Sequence, residues 1–192
     1  GECAPLPNLS CDDVPGYEEM LAKACQNFTN TGKIDIDGLR DYPSILFGLE
    51  TALLHFEANS FNMWDTPFSR GEAGIPINGL IWMGSYEDMS RQVADKIESG
   101  FRCIKLKIGA IDFDKELEIL RLIREQFSSE EIELRVDANG AFSPNEAMTK
   151  LNRLAELDLH SIEQPIRAGQ WEDMALLAAS SPVPIALDEE LI

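Results

Sequence analysis

A chain of 192 residues holds one large domain or one and a half smaller ones. Apolar residues make up 44%, enough for a real core, and no run approaches the ~20 apolar residues that cross a bilayer. The formal charge is -18, which argues against a nucleic-acid partner, because phosphate binding needs a basic face.

The acids are scattered along helical segments, as on a solvated surface, rather than massed in a tail. The four cysteines are Cys3, Cys11, Cys25 and Cys103. None forms a CxxC pair and no His cluster accompanies them, so they read as free thiols in a reducing compartment rather than zinc ligands. No signal-peptide pattern is present, and the expected location is cytoplasmic. The chain lacks an initiator Met and stops at Ile192 just past a strand, so both ends read as cut.

Residues 1–14 are loop-like. Pro15 opens a helix whose stripe is Met20, Leu21, Ala24, Cys25 and Phe28, ended by Asn30-Thr31-Gly32. Asp41 with Pro43 starts a second helix carrying Ile45, Leu49, Leu53 and Phe56, with His55 as a helix-surface or partly packed residue. Asn59 to Asn78 is a long irregular connection, in which Arg70 and Glu72 read as loop-structural residues.

From Gly79 the texture changes. Leu80–Gly84 is a short apolar run, and Ser85 with Asp88 caps a helix striped by Met89, Val93 and Ile97 and ended at Gly100. Phe101–Lys107 is a strand. Asp112 caps a helix with Phe113, Leu117, Leu120 and Phe127, and Ile132–Asp137 is the next strand. Ser143 and Glu146 form a second capping box on a helix running to about Leu157. Ser161–Glu163 is a strand, Gln170–Ala179 a helix and Pro184–Asp188 a strand.

Strict alternation of strand and helix implies a parallel sheet with right-handed crossovers. Four strands end in polar residues: Lys107, Asp137, Glu163 and Asp188, spaced 30, 26 and 25 residues apart, about one βα unit each. Each strand is apolar on one face only. Open doubly wound sheets bury both faces and read as continuous apolar runs, so the alternation favours a (β/α)8 barrel. Catalytic groups of such barrels gather at the C-terminal strand ends.

Asp137, Glu163 and Asp188, one per strand, make a hard-oxygen cation site suited to Mg²⁺. Lys105 and Lys107 share a strand face directed to the same mouth. A lysine beside a divalent cation and another ammonium has its protonated form disfavoured, which lowers its pKa toward that of a useful base. Such a base can remove a proton from carbon next to a carboxylate, with the cation stabilising the resulting charge.

The segments KLK, VDAN, IEQP and LDEEL, in that order, resemble the muconate-lactonising branch of the enolase superfamily, whose sites pair a Lys or His base with Mg²⁺. Within the branch, PINGLIWMG, HSIEQPI and IALDEELI are similar to the o-succinylbenzoate synthases of menaquinone biosynthesis. The resemblance implies that Asp137, Glu163 and Asp188 hold Mg²⁺, with Mn²⁺ as a substitute. It implies that Lys107 takes the substrate proton and returns it to the leaving hydroxyl, while Lys105 tunes that base and helps hold the substrate carboxylate. Arg135 and Asn139 match supporting positions, with Glu189 behind them.

The implied reaction is a lyase step: dehydration of 2-succinyl-6-hydroxy-2,4-cyclohexadiene-1-carboxylate, a small-molecule carboxylate, to o-succinylbenzoate through an enediolate. An N-acylamino acid racemase or dipeptide epimerase of the same superfamily, or an inactive truncated barrel, are the alternatives. By the same resemblance, residues 1–78 are the helical part of a capping domain with its connecting loop, and 79–192 the first five barrel strands. The family's second lysine, on a sixth strand, lies beyond this chain, so the isolated chain is expected to lack turnover. The sequence leaves oligomeric state open.

Overall fold

The computed structural model describes residues 1–192. Gly1–Ile75 and Pro76–Leu191 form two compact units.

The first unit is helical. Helix α1 spans Tyr17–Thr31, entering from Gly16 rather than at Pro15 and stopping at Gly32, which takes the left-handed conformation that a Cβ would disfavour. Helix α2 spans Pro43–Ala58, with proline in its first turn as expected. Its cap is not local. The backbone N–H of Ser44 donates to Asp12 Oδ2 at 2.8 Å, across 32 residues, and the Ser44 hydroxyl donates to the same oxygen at 2.6 Å. Ala24, Leu39 and Ile45 centre a small core. The expected α2 stripe holds only in part: Ile45 is fully buried, but Phe56 is 82% exposed. The helix is apolar on nearly every side, so spacing alone could not say which side has neighbours. Residues 59–78 contain no helix or strand. Within them Arg70 pairs with Asp65 and Glu72, which accounts for both Arg70 and Glu72 as loop structure.

The second unit alternates strictly: β1 Gly79–Ile81, α3 Tyr86–Glu98, β2 Cys103–Lys107, α4 Phe113–Gln126, β3 Glu133–Asp137, α5 Pro144–Ala155, β4 Ser161–Glu163, α6 Trp171–Ser180 and β5 Ile185–Ala186. All neighbouring strands are parallel, in the spatial order β1-β2-β3-β4-β5. A doubly wound sheet reverses its strand order at a switch point. This sheet never reverses, and it is five strands of a (β/α)8 barrel wall.

The alternation along each strand sorts side chains as read from the sequence. Ile104, Leu106, Leu134, Val136 and Ile162 are at most 1% exposed. They share one core with Leu117, Leu120, Leu151, Leu154, Met174 and Leu177 of the covering helices. The opposite face carries Lys105, Lys107, Arg135 and Glu163.

Element ends differ from the sequence reading in instructive places. The Ser85 hydroxyl accepts from the Asp88 N–H, so the first capping box is formed. Ser143 makes no side-chain cap bond; its backbone carbonyl accepts the Glu146 and Ala147 N–H groups, and the Glu146 carboxylate pairs with Lys150 at 2.6 Å. Strand β5 is two residues long rather than five, and Glu189–Leu191 follows as a 3-10 turn. Gly109, just past β2, has a φ of 93°, and a Cβ there would lie 2.3 Å from the Ala141 Cβ. Only glycine lets the loops after β2 and β3 approach so closely. No helix is long and apolar enough to cross a membrane.

Candidate active site

Strand pairing sets the site before any side chain is considered. Lys107 is in register with Asp137, Asp137 with Glu163, and Glu163 with Ala186. The three polar residues therefore form one row across three adjacent strands, at their C-terminal ends. Lys105 stands one row below, opposite Arg135, which is opposite Ser161.

The side chains close this row into a network. Lys107 Nζ donates to Asp137 Oδ2 at 2.6 Å and to Asn139 Oδ1 at 2.8 Å. Lys105 Nζ lies 2.6 Å from Glu163 Oε2 and 3.1 Å from Asp137 Oδ2, bridging the two carboxylates. Asp137 is fully buried, and its other oxygen accepts from the Asn139 N–H at 3.0 Å. Asn139 Nδ2 donates to Glu189 Oε1 at 3.0 Å. An ammonium only donates and a carboxylate only accepts, so these two neighbours fix which way the Asn139 amide faces. The indole of Trp82, just past β1, has its ring centre 5.7 Å from Lys107 Nζ, within cation–π reach.

Charge and burial act against each other here. Burial favours the neutral form of Asp137, but hydrogen bonds from Lys107 and Lys105 outweigh it and hold its pKa below the ordinary carboxylate value. Glu163 moves the other way. Burial and the adjacent Asp137 charge raise its pKa, more than Lys105 can offset. Burial likewise works to lower the Lys105 pKa, yet the hydrogen bonds it donates to Glu163 and Asp137 leave it raised. The sequence-based expectation of a depressed lysine presumed a cation beside it. Lys105 here faces two carboxylates, and they hold its proton.

Not every expected residue joins the cluster. Arg135 turns back along its own strand to Glu133, 2.6 Å away, and its side chain is 41% exposed. Asp188 lies two residues beyond β5, half-buried; its backbone N–H donates to Gln164 Oε1. No group of three His, Cys, Asp or Glu side chains converges closely enough to hold an ion. The chemistry of the donor set nevertheless fits a hard divalent cation. Two carboxylates face each other across a strand pair, and an ammonium already bridges them.

Three participants were missed from the sequence: Trp82, Gln164 and Glu116. Glu116, 1% exposed in the first turn of α4, accepts from the N–H groups of Gly109, Ala110 and Ile111 and so fixes the loop after β2. Trp82 and Gln164 each directly follow a strand, the one signal that singles them out; Glu116 lies on a helix and gave none.

Known proteins resemble this chain in sequence and in fold. A family profile described as enolase C-terminal domain-like matches residues 88–192. An o-succinylbenzoate synthase of Desulfotalea psychrophila is 55% identical over 94% of this chain and 48% of its own length. An N-succinylamino acid racemase of Thermus thermophilus is 41% identical over 56% of this chain and 27% of its own. The crystal structure of MenC from Desulfotalea psychrophila superposes with a TM-score of 0.81 at 39% identity, covering 99% of this chain and 62% of that one. The chain thus spans about half the length of the synthase it matches.

Proposed function

The chain belongs to the enolase C-terminal domain-like family, and from that premise we propose that it supplies the base and cation-binding portion of an o-succinylbenzoate synthase, a carbon–oxygen lyase. The observation that carries the reading is the single backbone row of Lys107, Asp137 and Glu163 with Lys105 bridging its carboxylates. The similarity to the Desulfotalea psychrophila synthase supports this activity over others of the family.

In this reading Asp137, Glu163 and Asp188 hold Mg²⁺. When bound, the ion supplies fixed positive charge for the anion that develops on the substrate carboxylate. Lys107, held by Asp137 and Asn139, is the base that takes the proton from the carbon next to that carboxylate. The same ammonium then protonates the departing hydroxyl. The product ring is aromatic, so loss of water is downhill and proton abstraction is the main barrier. Lys105 keeps Asp137 and Glu163 together and faces the substrate carboxylate. Asn139, oriented by Glu189, keeps an acceptor on Lys107. Residues 1–78 are the helical part of a capping domain with its connecting loop, residues 79–192 the first five barrel strands, and a small carboxylate is the partner.

A second reading, N-succinylamino acid racemisation, is favoured by the Thermus thermophilus relative. It needs a second base on the opposite substrate face, which this row does not provide. Assay of the chain extended to the length of its relatives, with both substrate types, separates the two. Dehydration is the expected activity. In that protein Lys107→Ala lowers kcat by about 10²–10⁴-fold with Mn²⁺ binding retained; undiminished turnover would remove Lys107 from the base role.

A further inference from the structure

Gln164 is a polar residue with no exposed surface at all. Its φ is 40°, a left-handed backbone conformation, and Pro165 follows it directly. Glycine would relieve that backbone, and Asn is the side chain that more often tolerates it. A buried Gln in a strained position is kept there by what its side chain reaches.

What it reaches is the turn after β5. Gln164 Oε1 accepts from the Asp188 N–H at 3.1 Å and from the Glu190 N–H at 3.4 Å. Its Nε2 donates to the Ile166 carbonyl at 2.9 Å, which fixes the amide so that the oxygen faces the turn. Its backbone is clamped as well: the Gln164 N–H donates to Ala186 O at 2.9 Å, and its carbonyl accepts from the Gly140 N–H at 2.7 Å. One residue thus joins the loops after β3, β4 and β5. Strand β5 ends at Ala186, so the sheet ladder does not extend to Asp188. The Asp188 carboxyl makes no hydrogen bond or ion pair of its own; its carbonyl accepts the Leu191 N–H within the turn at 2.8 Å, and Gln164 is the side chain that ties residue 188 back to β4.

We propose that Gln164 is a positioning residue for the third cation ligand: where strand β5 stops, it ties the backbone of residue 188 to the end of β4, next to Glu163. This rests on the reading of those three carboxylates as ligands. It adds that the third is presented by a neighbouring side chain rather than by its own strand.

The test uses MnCl₂ alone as probe, with free Mn²⁺ followed by electron paramagnetic resonance, on the 192-residue chain. Gln164→Met keeps the length and removes the hydrogen bonds. It is expected to weaken Mn²⁺ binding about 10–100-fold, the usual loss when a supporting partner of a ligand is removed. Amide exchange at residues 188 and 190 should accelerate in the same variant. Asp188→Asn should weaken binding, and Gln164→Met added to it should cost no more than about twofold further, since both changes remove one ligand's contribution. Gln164→Glu, which keeps an acceptor oxygen, should retain binding, and it provides the comparison should Gln164→Met fold poorly. Wild-type affinity in Gln164→Met overturns the proposal, as do losses that multiply in the double variant or a Gln164→Glu chain as weak as Asp188→Asn. A wild-type chain that binds no Mn²⁺ overturns the cation reading itself and this inference with it; faster exchange at 188 and 190 in Gln164→Met would then still show that the hydrogen bonds are real.

Discussion

Glu116 shows how one buried side chain can govern a loop. Its Oε1 takes three backbone N–H groups of residues 109–111, while Oε2 is buried with no partner. Burial raises its pKa, and the three backbone hydrogen bonds only partly offset this. A carboxyl whose folded pKa is raised contributes stability that is full below its unfolded pKa and lost as pH rises through the folded one. Glu116→Gln keeps an acceptor and carries no charge. Its stability relative to the wild type should therefore improve from about pH 4 to pH 7, read by urea unfolding at each pH. Glu116→Ala leaves the three donors without their acceptor and should cost about 1–3 kcal/mol at either pH. Nothing in the order of residues announced this role. Lys107, Asp137 and Glu163 were legible because a period of two forces alternate residues to one face. Glu116, Trp82 and Gln164 act through neighbours that only the tertiary fold supplies.

Among the elements, two identical start signals had different outcomes. The Ser85 hydroxyl accepts the Asp88 N–H, but the Ser143 hydroxyl accepts nothing from its helix. Ser85→Ala should cost about 1 kcal/mol and Ser143→Ala only a few tenths, both by denaturant midpoint at constant m. For α2 the decisive cap is Asp12, so Asp12→Ala should cost about 1–2 kcal/mol although it lies outside the helix. The alternation of elements in residues 79–191 was readable because each amphipathic period is local. The fine boundaries were not. A capping pattern does not show whether the serine hydroxyl will turn to its helix, as at Ser143, and an apolar run does not show where the ladder stops, as at Ala186.

Taken whole, the sheet has two edges. Strands β1 and β5 each pair on one side only, leaving rows of backbone donors and acceptors that invite pairing with another chain. The 192-residue chain should therefore associate as its concentration rises from about 1 to 100 µM, seen by sedimentation velocity. A single monomeric boundary throughout that range would contradict the expectation. The barrel class was legible from one-faced strands, and the sequential strand order agrees with it. The row across β2, β3 and β4 also limits how such a sequence can change. Inserting or deleting residues between strands alters only the length of a connection. Removing one residue inside β3 reverses its phase, turning Asp137 into the greasy layer beneath the helices and Val136 toward the mouth. Descendants of this gene can therefore drift in the gaps between motifs, while the parity of each strand stays frozen.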